Sequence, residues 1–108
     1  MYEHNEIRDG FAIELSFEDE HISPCDVYGE DHEEIDSIIE GINSGEFVWV
    51  TAIVKAKKAG ISLCEAYLGA VHYKYDGLNQ FVTDGYYEDM VLEAIEGAKN
   101  RIKELMAA

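Results

Sequence analysis

Positive charge is scarce in this chain. Eight lysines and arginines stand against 23 aspartates and glutamates, a formal net charge of −15. Phosphates are repelled by such a surface, which argues against direct binding to DNA, RNA or an anionic membrane. Pro24 is the only proline, and Cys25 and Cys64 are the only cysteines. Two thiols are too few for a disulfide framework, and with no secretory pattern they are expected to be free. No stretch approaches the roughly 18 uncharged apolar residues of a membrane span. Residues 1–10 carry three acids and no apolar run, so neither a signal nor a transit peptide is expected, and the expected location is cytoplasmic. A phosphate-cradling glycine loop, Gly-x-Ser-x-Gly and His-Glu-x-x-His are all missing.

What is present suffices for a core. The chain has 108 residues, 47% of them hydrophobic, which argues against a disordered acidic tail. A single acidic domain over residues 1–108 is expected. A chain of this size buries roughly 60–70% of its unfolded surface without metal or disulfide staples.

The charge is unevenly spread. Residues 1–46 hold fifteen acids and one base, Arg8; residues 47–80 hold two acids and four lysines; residues 81–108 hold six acids and three bases. The acidic surface must therefore come mainly from the first strand, the loop after it and the first helix.

Periodicity gives an order of elements. Phe11, Ile13, Leu15 and Phe17 alternate with smaller or polar residues, a half-buried strand over about 10–18. Residues 19–30, with Pro24 and Gly29, read as a loop. Ile35, Ile38, Ile39 and Ile42 lie at helical spacing, with Asp31 and Glu34 spaced as a capping box and Ser44-Gly45 as a stop. Residues 47–57 alternate again but are apolar on both faces, as in a central or interface strand. Lys58-Ala59-Gly60 predicts a hairpin into a strand over 61–73, where Gly69 signals a bulge or a close backbone approach. An irregular loop bracketed by Asp76-Gly77 and Asp84-Gly85 leads to a helix over 86–106.

The order β-α-β-β-α predicts an α+β fold of two layers: a three-stranded sheet, antiparallel or mixed, with two helices on one face. If the first helix crosses over, the third strand inserts between the first two. The other face then presents Phe47, Trp49, Tyr67 and Tyr73, a candidate self-association face for a homodimer, with core packing as the alternative reading.

Two motifs carry a resemblance. Tyr67-Leu68-Gly69-Ala70-Val71-His72-Tyr73 is followed by Gly85-Tyr86-Tyr87-Glu88-Asp89-Met90. The stretch from Phe47 to Glu93 resembles small acidic proteins of bacteriophages and other mobile elements, in which a Tyr-Leu-Gly…Tyr strand precedes such a helix start. The resemblance implies a mobile-element origin and a bacterial host cell. It assigns no reaction, and Ala70 and Val71 stand where those proteins carry thiol-type residues.

The acidic segment is the strongest functional candidate. Glu18, Asp19, Glu20, Asp26, Glu30, Asp31, Glu33, Glu34, Asp36 and Glu40 all fall within 23 positions. On a helix the pairs Glu30/Glu34, Asp36/Glu40 and Glu33/Asp36 would lie roughly 5–6 Å apart at Cβ, close to the spacing of successive phosphates. Carboxylates displayed in this way can occupy a basic groove meant for nucleic acid, with salt-dependent affinity. The partner expected is a host nucleic-acid-binding protein or defence complex, such as a CRISPR or restriction enzyme. The competing reading is a solvated face that keeps the protein soluble and favours a helix N-terminus.

Catalysis finds little support. His21, Cys25, Asp26 and His32 are ligand types, but their spacing matches no zinc pattern. Cys64 and His72 lie eight residues apart along one strand, beyond hydrogen-bond reach. No cofactor, metal or catalytic residue is assigned, and a non-enzymatic binding or assembly protein is expected.

Overall fold

A computed structural model describes residues 2–29 and 31–107. Four strands, β1 (His4–Arg8), β2 (Phe11–Asp19), β3 (Phe47–Lys58) and β4 (Ile61–Lys74), form one antiparallel sheet in chain order. The helices are α1 (Pro24–Tyr28), α2 (Ile35–Ser44), a 3-10 helix (Leu78–Thr83) and α3 (Gly85–Ala107). The expected α+β class holds. The expected three strands and two helices do not, and neither does the inserted third strand.

The missed strand is β1, and the reason is chemical. It pairs with β2 through a two-residue turn, Asp9-Gly10, with φ of 54° and 80°. Positive φ at both central residues is what a twisted hairpin requires. Within His4–Arg8 the pattern is inverted: Ile7 points outward and is 81% exposed, while His4, Glu6 and Arg8 lie opposite the buried Leu15, Ile13 and Phe11. Those polar side chains satisfy one another beneath α3. Glu6 accepts from Arg8 Nε at 3.0 Å and from the Tyr87 hydroxyl at 2.6 Å. Arg8 also reaches Glu88 at 2.6 Å. A search for apolar alternation cannot see a strand whose buried face is polar.

β2 contributes Phe11, Ile13, Leu15 and Phe17 to the main core, and β3 contributes Val50, Ala52, Val54 and Ala56 from the matching face. The α3 stripe of Tyr87, Val91, Ala94, Ile95 and Ala98 covers them. Burial of such side chains is the main favourable term, about 1.5–3 kcal/mol for each large one. The loop expected between β4 and α3 contains the 3-10 helix, which buries Leu78 and Phe81. Phe81 packs edge to face on Phe17 at 5.5 Å and on Tyr73 at 6.1 Å, closing one end of the core.

The second helix lies on the opposite face, not beside α3. The α2 stripe buries Ile35 and Ile38. Gly41 lies so close to the Phe47 ring that an added Cβ would sit 2.1 Å from it. Phe47 and Trp49 face away from Val48 and Val50 by strand alternation. The double-faced apolarity of β3 is thus answered by the chain itself: α3 covers one face and α2 part of the other. Because β2 and β3 are antiparallel neighbours, the segment between them is an excursion that returns, not a crossover.

Candidate binding surface

Segment 18–40 leaves the end of β2 and folds back over the α2 side of the sheet. Its anchor is Trp49. The indole N–H donates to the Ile22 carbonyl at 2.7 Å, and the residue is only 9% exposed. Around it lie Tyr28 at 6.1 Å and His72 at 6.3 Å between ring centroids, with His32 against Tyr28 at 5.1 Å and Phe47 against His72 at 5.7 Å. This aromatic cluster seats the acidic segment.

Two local features shape that segment. Ser23 caps α1, accepting from the Asp26 N–H at 3.4 Å, and Pro24 takes the first helical position. Proline at that position is pre-organised for a helix. Serine followed by proline is therefore the signal that reading 19–30 as a loop overlooked. Helix α2 starts at Ile35, later than expected, and the Asp31/Glu34 capping box is not formed: no side chain among the described residues caps it, and the Glu34 N–H donates to His32 Nδ1 at 3.2 Å.

The acids divide by environment. Glu18, Asp19, Asp26, Asp31, Glu33, Glu34, Asp36 and Glu40 are exposed. None of these eight makes an ion pair among the described residues. Five of the eight bases are engaged elsewhere: Arg8, Lys55, Lys57, Lys99 and Arg101 pair with Glu6 and Glu88, Glu65, Glu14, Asp9 and Glu104. Glu30 lies outside the described residues. Of the three predicted carboxylate pairs only Asp36/Glu40 sits within a helix, because α2 begins after Glu33 and Glu34.

Glu20 has a different task. Its carboxylate accepts from the Thr51 hydroxyl at 2.5 Å, the Ala70 N–H at 3.1 Å and the Ile22 N–H at 3.2 Å. These donors, Thr51 foremost, hold its carboxyl below the usual carboxylate range. It clamps a bulge in β4, where Gly69 and Ala70 together face the single residue Thr51 and Ala70 takes φ of 59°. An added Cβ at Gly69 would lie 2.9 Å from Glu20 Oε2, so any larger residue here would push the carboxylate off its present donors.

The four aromatic residues proposed for self-association do not form one exposed face. Phe47 packs beneath α2 and Trp49 beneath the acidic segment. Tyr73 lies on the α3 side, its ring against Phe81 and its hydroxyl donating to Asp84. Tyr67 is 60% exposed on the α2 side and donates to Glu65. Tyr28, His32 and His72, which complete the cluster on Trp49, carried no periodic signal of their own.

Cys25 and Cys64 are free thiols on α1 and β4. Among the described residues no three His, Cys, Asp or Glu side chains converge as a metal-ligand set, and no helix is long and apolar enough to cross a membrane. Comparison with protein families, with characterised proteins and with solved structures finds no match for this chain.

Proposed function

We propose that the protein is a non-enzymatic binder that lays segment 18–40 on a cationic groove of a nucleic-acid-handling protein, occupying it in place of nucleic acid. One observation carries the reading: eight exposed carboxylates, none in an ion pair among the described residues, share one segment, which docks on Trp49 through Ile22 and Tyr28. Uncompensated charge on a fixed scaffold raises the rate of encounter with an oppositely charged site and makes binding depend on salt. Following the sequence resemblance, the partner is a host defence enzyme of the CRISPR or restriction type, and the protein is an inhibitor from a phage or other mobile element acting in the bacterial cytoplasm. Homodimerisation through Phe47, Trp49, Tyr67 and Tyr73 has less support, since two of the four are covered by the chain's own segments.

The test is a tagged pull-down from a bacterial lysate rich in such enzymes, eluted with a salt gradient. A nucleic-acid enzyme released by moderate salt, displaced by added DNA and lost with the triple variant Glu33→Gln, Asp36→Asn, Glu40→Gln is the expected result. Capture that the triple variant leaves unchanged would overturn the reading.

A further inference from the structure

A cavity of about 280 Å³ opens at the outer edge of β4, beyond which no further strand follows among the described residues. The bulge Gly69–Ala70 forms part of its lining, and the rest is largely aromatic: Tyr28 and His72 from the α2 side, Tyr73, Phe81 and Tyr86 from the α3 side. The rings meet at steep angles, with Tyr28 and His72 at 88° and Tyr73 and Phe81 at 80°. No lysine or arginine lines the cavity. Two carboxylates stand behind the walls. Asp84 accepts from the Tyr73 hydroxyl, and Glu20 accepts from the Ala70 N–H. Neither makes an ion pair among the described residues. A phenol donating to a carboxylate holds more electron density in its ring, and aromatic faces attract cations through their quadrupole.

We propose that this cavity is an anchor pocket for one arginine side chain of the cationic partner. A guanidinium is flat and weakly hydrated, and it stacks on aromatic faces while its edge keeps donors free for nearby acceptors. A lysine ammonium is more strongly hydrated and gains less from such walls. The net charge of −15 favours the same sign of ligand. The pocket also adjoins the acidic segment: Tyr28 lines the one and belongs to the other, and Glu20 clamps the bulge from the start of the segment. The proposal rests on the reading of the protein as a binder of a cationic partner, because the arginine is that partner's.

The test is a backbone-amide NMR titration of the full chain with N-acetylarginine methylamide, with the citrulline analogue as the neutral isostere at matched ionic strength. Saturable shifts at residues 68–73 and 84–87, with affinity about fivefold or more above the citrulline probe, are expected. Tyr86 is 61% exposed, so Tyr86→Leu leaves the fold intact while weakening the arginine probe about fivefold, and Tyr86→Phe retains binding. Equal response to both probes, shifts confined to 31–40, or indifference to Tyr86→Leu would overturn the proposal. The two readings separate cleanly. If the arginine probe binds but the triple acidic variant still captures its partner, the pocket stands and the acidic groove reading falls. If the probe does not bind and the triple variant loses its partner, the reverse holds.

Discussion

Trp49 and Ile22 lie 27 positions apart, and the indole N–H of one donates to the carbonyl of the other at 2.7 Å. Through this bond the acidic segment is tied to the sheet, so a buried aromatic residue governs the pose of exposed carboxylates. Trp49→Phe keeps a ring on Tyr28 and His72 but removes the donor. It should cost about 1–3 kcal/mol, the range for leaving a partly buried carbonyl unpaired. Denaturant midpoints would measure the loss, and hydrogen exchange should quicken at residues 22–28 more than in β2 and β3.

The Glu6–Tyr87 bond docks β1 onto α3, and it makes that docking depend on pH. The Tyr87 hydroxyl, ahead of Arg8 and His4, holds the Glu6 carboxyl below its ordinary value of 4.5, against the opposing effect of burial. A carboxyl whose folded pKa is depressed contributes stability above its unfolded pKa and loses it as pH falls through the folded one. The melting temperature should therefore drop below about pH 4.5 more steeply in the native protein than in Glu6→Gln, whose melting curves should differ least from the native ones at low pH.

Tyr87 titrates at the other extreme. Burial, then the bond to Glu6, raises its hydroxyl well above the ordinary value. A phenol raised in the folded state stays protonated while the unfolded chain ionises, so stability should decline as pH climbs past about 10. Tyr87→Phe should cost about 1–2 kcal/mol at neutral pH, read by urea unfolding, and should reduce this alkaline decline.

Gly69 and Glu20 act as one contact. Gly69→Ala places a methyl group 2.9 Å from Glu20 Oε2 and should displace the carboxylate from the Ala70 N–H, a loss of about 0.5–1.5 kcal/mol, the net worth of a hydrogen bond. Glu20→Ala removes the acceptor for Thr51, Ala70 and Ile22. The double variant should lose less than the sum of the two single losses, because the clash needs the carboxylate. Additive losses in a urea-denaturation cycle would show that the residues act separately.

Asp36 and Glu40 are like charges one turn apart on α2, exposed and without ion pairs among the described residues. A carboxylate pair of this kind opposes folding by a few tenths of a kcal/mol. Glu40→Gln should therefore raise stability slightly in low salt, with the gain fading in high salt. A loss of stability would mean that Glu40 supports the fold.

The readable parts of the sequence were those where burial and periodicity coincide. The alternation in Phe11–Phe17, the isoleucines of α2 and the long stripe of α3 mark elements the structure contains. β1 escaped because its inward residues are His4, Glu6 and Arg8, satisfied by one another and by Tyr87 and Glu88. Tyr67 and Tyr73 share parity six positions apart, and a regular strand would put both on one face. The bulge at Gly69–Ala70 inserts a residue and sends them to opposite faces. Gly69 hinted at a bulge, but its effect on facing depends on the register with β3, which a single strand's sequence does not encode. The acidic residues were visible by composition. Which of them is free and which is a clamp followed only from the position of Glu20 beside Thr51.

The same bulge bears on what the sheet can become. A four-stranded antiparallel sheet has two bare edges, and β4 offers fourteen residues on one of them. An uninterrupted edge of that length would be a template for strands of other copies. Register slips after Val50 and after Ala56 break the regular ladder at two points along β4. An incoming strand can match the spacing of donors and acceptors only over short runs. The interrupted ladder thus shortens the run over which a strand from another copy could pair with β4.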